Sequence, residues 1–190
     1  MVGELKSLVH VGRLKLEFIK KEVRGKIREM RVHENGGGLV EKTAHVDETA
    51  FVGENAMVLD LARVTDKAQI LDSAAVKNKA RVEFFAKVSH RAVVTNNAKV
   101  RGDSVIEDNA VVGGEAIITN MAVVGGNSIV MGKSIVTDKV RIGGKSLVTG
   151  GTLLQGNVEV TGGAVLKGRV IINGTCTIDE SVTIDSWDEV

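Results

Sequence analysis

The sequence predicts an all-β solenoid that winds three short strands per turn through about eight turns of eighteen residues. Two observations carry that expectation. From Ala44 to Trp187 the 190-residue chain repeats every six residues, twenty-four times without insertion or deletion, as AHVDET, AFVGEN, AMVLDL, ARVTDK and onward to VTIDSW. Each place in the hexad also has its own chemistry. The first is small, the third is always aliphatic, and the fifth is Asp, Asn or Gly in eighteen of the twenty-four. A fixed period of this kind determines the architecture and is read before local propensity.

The element small-x-aliphatic is a three-residue strand whose first and third side chains face one way. Asp, Asn and Gly tolerate a left-handed backbone, so the fifth place is a corner. Three strands and three corners close a turn, and each strand then stacks on its own copy eighteen residues later. Eight turns at about 4.8 Å make a rod of roughly 38 Å. Places one and three fill a thin triangular core. Each aliphatic at place three contributes about 1.5–3 kcal/mol when fully buried.

Val46-Asp47-Glu48-Thr49-Ala50-Phe51, Val52-Gly53-Glu54-Asn55-Ala56-Met57 and their successors resemble the hexapeptide-repeat superfamily. The likeness covers residues 44–187. It implies a left-handed parallel β-helix of triangular section, a prism of about eight 18-residue coils. Many members are trimeric acyltransferases, some are γ-type carbonic anhydrases, and others have no known chemistry. The entry segment Gly37-Gly38-Leu39-Val40-Glu41 is similar to that of hexapeptide-repeat proteins of bacterial and prophage genomes.

Composition suits a solenoid. There are 22 glycines and no proline, and a stacked strand needs every amide it has. The net charge of +1 gives no global attraction to nucleic acid or to an anionic membrane. The one cysteine, Cys176, occupies an inward place and is expected to be a small buried hydrophobe. No apolar run is long enough to span a bilayer and no signal-peptide pattern is seen, so the expected location is cytoplasmic or virion- or particle-associated.

Residues 1–43 lie outside the hexads and are expected to form an N-terminal β cap, with 188–190 as a tail. Leu14, Leu16 and Phe18 alternate with Lys15 and Glu17, as in a strand. Lys26 to Val32 reads as a second strand of a hairpin, or as a helix with Val23, Ile27 and Met30 on one side; the hairpin is preferred. Such a cap covers the first coil, whose edge and core are otherwise bare. Arg13–Arg31 holds eight basic and three acidic residues, a solvated face or a site for an acidic partner, such as a protein, or for nucleic acid, and it lacks the aromatic interleaving that single-strand binders use. Gly36-Gly37-Gly38 reads as a flexible joint.

The second residue of each hexad points to solvent, and taking every third hexad sorts these residues into three faces. The first face shows His45, Arg63, Arg81 and Lys99, then Ile117, Ile135, Leu153 and Ile171. The second runs Phe51, Gln69, Lys87, Val105, Val123, Arg141, Glu159 and Thr177. The third runs Met57, Ala75, Val93, Val111, Ile129, Leu147 and Val165, then Thr183. Seven turns without a polar residue exceed what β-propensity requires, and contiguous apolar surface marks an interface. The expected interface is therefore Met57, Val93, Val111, Ile129, Leu147 and Val165 with Ile117, Ile135, Leu153 and Ile171. The expected assembly is a homo-oligomer, a trimer as the resemblance also implies.

Catalytic chemistry has few candidates. A zinc site needs three converging imidazoles, and of His10, His33, His45 and His90 only His45 and His90 lie in the repeat, more than two turns apart; no metal is expected. Acyl transfer needs a general base, and His90 is the candidate, stacked between Asp72 and Asp108 in one corner column. No loop interrupts the hexads to enclose a substrate. Phe84 and Phe85 break the polar corner pattern and are docking candidates, as is Trp187 beyond the last coil. The sequence thus points to a self-associating structural or assembly module of a phage or bacterial particle or scaffold. The alternative is an acyltransferase-like enzyme using His90 at a subunit boundary, and only that alternative brings in acetyl-CoA or another acyl-CoA.

Overall fold

The hexads place their strands on three walls, and a computed structural model shows the walls in register. The structure describes residues 6–11, 14–23, 25–179 and 182–185, with side chains from Glu17 onward. Trp187 lies outside the described residues. There is no helix among them; the chain is a parallel β-solenoid of about eight turns. His45 aligns with Arg63, Arg63 with Arg81, and Arg81 with Lys99, each eighteen residues apart. On the third wall Met57 aligns with Ala75, Ala75 with Val93, and Val111 with Ile129. The second wall stacks Phe51 on Gln69 and Lys87 on Val105 in the same way. Near the C-terminal end Leu153–Val160 runs through a corner as one strand, which joins the first two walls into a single 14-stranded sheet.

The core is what a narrow prism allows. Alanines at place one and valines or isoleucines at place three, from Ala50 and Val52 to Ala122 and Val124, are fully buried. Where Ser104, Ser128, Ser134, Ser146 or Thr152 replaces alanine, the buried hydroxyl donates to a carbonyl three residues earlier. Ser128 Oγ donates to Gly125 O at 2.6 Å and Thr152 Oγ1 to Thr149 O at 2.8 Å. A buried hydroxyl with its partner supplied avoids the cost of an unmet polar group.

The N-terminal segment is a meander of β1 (Lys6–Val11), β2 (Leu14–Val23) and β3 (Lys26–Val32), paired antiparallel. β3 pairs in turn with β4 (Leu39–Glu41), and β4 lies parallel to Met57–Val58. The solenoid therefore begins one hexad before Ala44, with Gly38 in the small place and Val40 in the core. The meander extends the sheet of the third wall at its N-terminal edge. Val23 and Met30 pack on Leu59, with Ile19, Leu39 and Met57 around them.

Two expectations are corrected here. Gly36-Gly37-Gly38 is not a loose joint. A side chain at Gly38 would collide with Val52 and Gly53, and Gly36 sits at φ +113° against Val52. His33 and Asn35 fix the same loop, their Nε2 and Nδ2 donating to Ala50 O at 2.9 and 3.0 Å. Cys176 is exposed, not buried. It lies in Ile171–Ile178, the last strand of its sheet, where no further coil among the described residues covers the inward side.

One ion cluster locks the meander to the first corner. Arg28 Nη1 donates to Glu41 and, at 2.8 Å, to Asp60 Oδ1; Asp60 Oδ2 accepts the Asn78 amide at 3.0 Å. Burial alone would raise the Asp60 carboxyl, but Arg28 and the Asn78 N–H outweigh it and hold it below the ordinary carboxylate range. A depressed carboxyl contributes stability above its unfolded value and loses it as pH falls through the folded one. The docking of β3 is therefore expected to weaken below about pH 4. Arg28→Met is expected to cost the docked meander about 1–3 kcal/mol at pH 7. It should also flatten that acid dependence, as read by hydrogen exchange of the β3 amides.

Candidate interaction surface and the His90 column

The corners explain why acidic and amide residues recur at place five. The backbone there is left-handed, with φ near +59° at Asp60, Asp66, Asn96 and Asp108. Its N–H points toward the preceding turn and meets the place-five side chain of that turn. Asp66 Oδ2 accepts Phe84 N–H at 3.0 Å, and Asp108 Oδ2 accepts Gly126 N–H at 2.8 Å. The side chains of Asp60, Asp66, Asp72, Asn96, Asp108 and Asp138 thus each supply a partner for an amide eighteen residues later.

His90 is a member of this ladder. It sits at φ +54°, its N–H donates to Asp72 Oδ2 at 2.9 Å, and its Nδ1 accepts the Asp108 N–H at 3.2 Å. Asp108 Oδ1 stands 3.6 Å from the same nitrogen. The Nδ1 lone pair is therefore spent on an amide, and the ring is about half exposed on a convex corner. His45 and His33 serve apart from it. His45 Nε2 faces Asp47 Oδ1 at 2.9 Å, and His33 caps Ala50 O. Among the described residues no three His, Cys, Asp or Glu side chains converge to hold a metal ion.

A groove of about 700 Å³ follows the corner between the first and second walls, lined by Asp103, Asn120, Met121, Asp138, Lys139 and Asn157 over a floor of Gly156 and Gly174. Asp138 is fully engaged there, Oδ1 with Asn120 Nδ2 at 3.0 Å and Oδ2 with Gly156 N–H at 3.1 Å. His90, on the next corner, does not line it. Phe84 and Phe85 stand exposed at 49% and 55%, with Phe84 at φ +63° and Lys67 Nζ 5.9 Å from the Phe85 ring. A bulky residue in that conformation is strained. The described part of the meander packs on Leu59 and leaves both rings exposed.

The apolar rows lie where the register puts them. Ile129 and Ile135 are each 38% exposed, Ile171 is more so, and Val93, Val111, Leu147, Val165, Ile117 and Leu153 are half-buried in their rows. Met57 is partly covered by the meander, and the Ala75 methyl is buried, so the open part of the third row begins at Val93. The corner between this row and the first wall carries Gly114, Gly132, Gly150 and Gly168 at place five. Both apolar rows thus border one edge whose place-five residues carry no side chain, next to the exposed Glu115, Lys133 and Arg169 at place six. The rows and the place-five glycines after Gly102 are both legible in the sequence; that both rows border the same corner follows from the three-wall register. A scan against protein-family models found no match for the chain, and a search of curated proteins found none either.

Proposed function

We propose that the chain is a rigid, self-associating scaffold module of the hexapeptide-repeat superfamily, wound left-handed, with no catalysis of its own. Rods pack side by side through Val111, Ile129, Leu147 and Val165 and through Ile117, Ile135, Leu153 and Ile171, three to an assembly, in the cytoplasm or within a particle. The observation that carries this reading is the pair of apolar rows flanking one glycine edge. Apolar surface arranged as two adjoining planes fits a second convex body better than it fits solvent. What weighs against acyl transfer is the His90 Nδ1 bond to Asp108 N–H, which occupies the lone pair that a base facing that side would use.

Cysteine cross-linking tests the reading. In a Cys176→Ser background, Ile135→Cys is expected to give disulfide-linked copies under mild oxidation, while Arg141→Cys on the second wall gives none. Equal cross-linking from both walls would sink the assignment of the contact surface.

A further inference from the structure

The two apolar rows hold a pair of opposite charges between them. Glu115 stands between Val111 on the third wall and Ile117 on the first, and Lys133 between Ile129 and Ile135. Val111 aligns with Ile129 and Ile117 with Ile135, so the two charges lie one coil apart, about 4.8 Å along the rod. Both residues are exposed. Neither side chain forms an ion pair or hydrogen bond with a described residue, the other of the pair included. Place five beside them is Gly114 and Gly132, which add no side chain to the edge.

We propose that Glu115 and Lys133 pair across copies of this chain, as two oppositely charged rings around the axis of the assembly. This inference rests on the assembly reading above and names the polar contact within it. When rods meet through both walls that flank a corner, that corner is the part of each rod nearest the axis. Covering the rows therefore takes both charges out of water. A charge left there without a partner is costly, and one set against its opposite is tolerated. Within one chain the two side chains stand apart. Further copies bring the opposite charge to the same edge in equal number, so each carboxylate ring lies one coil from an ammonium ring and their charges cancel.

The test is sedimentation velocity of the full chain and its charge-reversal variants at low salt. E115K leaves the pair all cationic and K133E leaves it all anionic. Each alone is expected to weaken association about tenfold or more. Both side chains are exposed, so the variants' thermal melts should match the wild type. E115K with K133E in one chain is expected to restore association. Mixing the two single variants is expected to give assemblies that contain both, which pairing confined to one chain would not do. Glu107→Lys, the same charge change in a hexad of the second wall, should leave association unchanged. A wild type that assembles, with single variants that assemble equally well, overturns the pairing and leaves the assembly reading standing. So does a double variant that stays weak, a mixture that forms no joint assembly, or a loss from Glu107→Lys as large as that from E115K. A wild type that stays a single rod overturns both.

Discussion

Ile129→Lys combined with Leu147→Lys is expected to release single rods from the assembly. The two side chains are neighbours on the third wall, one turn apart in register. Both point outward, Ile129 with 38% of its surface exposed, so lysine at either place reaches solvent in the isolated rod. Circular dichroism and melting temperature should therefore stay close to wild type. Within a packed assembly the same two ammonium groups would be driven into an apolar contact without partners. Removing a charge from water with nothing to pair it costs several kcal/mol. Association is expected to weaken at least a hundredfold, about 2.7 kcal/mol. Sedimentation velocity of the variant beside the wild type reads the change.

Gly126→Ala is expected to destabilise the rod itself, by about 2–4 kcal/mol, for two reasons that add. Gly126 sits at φ +66°, where an L side chain costs roughly 1–2 kcal/mol. A Cβ there would also meet Gly144 O at 2.6 Å and Gly144 N at 2.8 Å, both backbone atoms that cannot swing aside. One turn earlier in the same column Asp108 carries a side chain and uses it, accepting the Gly126 amide. Gly102→Asn is the contrasting case. The nearest atom to its Cβ is Asn120 N at 3.0 Å, and Asn tolerates this backbone region. It should cost clearly less than Gly126→Ala. Thermal unfolding of the two variants compares them, with a drop of roughly 5–15 °C expected for Gly126→Ala.

The unbroken hexads made the walls legible. With no insertion to shift the phase, Val111, Ile129 and Leu147 had to share one wall, and they align there. The first in-phase hexad, beginning at Gly38, was hidden because glycine replaces the usual alanine and Lys42 replaces the usual corner residue. The glycines before it looked permissive. Only the approach of Val52 and Gly53 shows that Gly38 is small for want of space. Cys176 obeys the inward pattern, but the pattern describes a coil with neighbours on both sides, and among the described residues the last coil has none beyond it. His90 was placed correctly between Asp72 and Asp108, yet its part in the corner ladder follows from a backbone amide, and residue types alone do not reveal where an amide points.

The account depends most on two exposed apolar rows being covered by further copies of the same chain. Sedimentation equilibrium of the wild type at micromolar concentration tests this most directly. The account predicts a species of three times the 20.2 kDa chain mass that the double lysine variant does not form. A single 20.2 kDa species for the wild type across that range would contradict it.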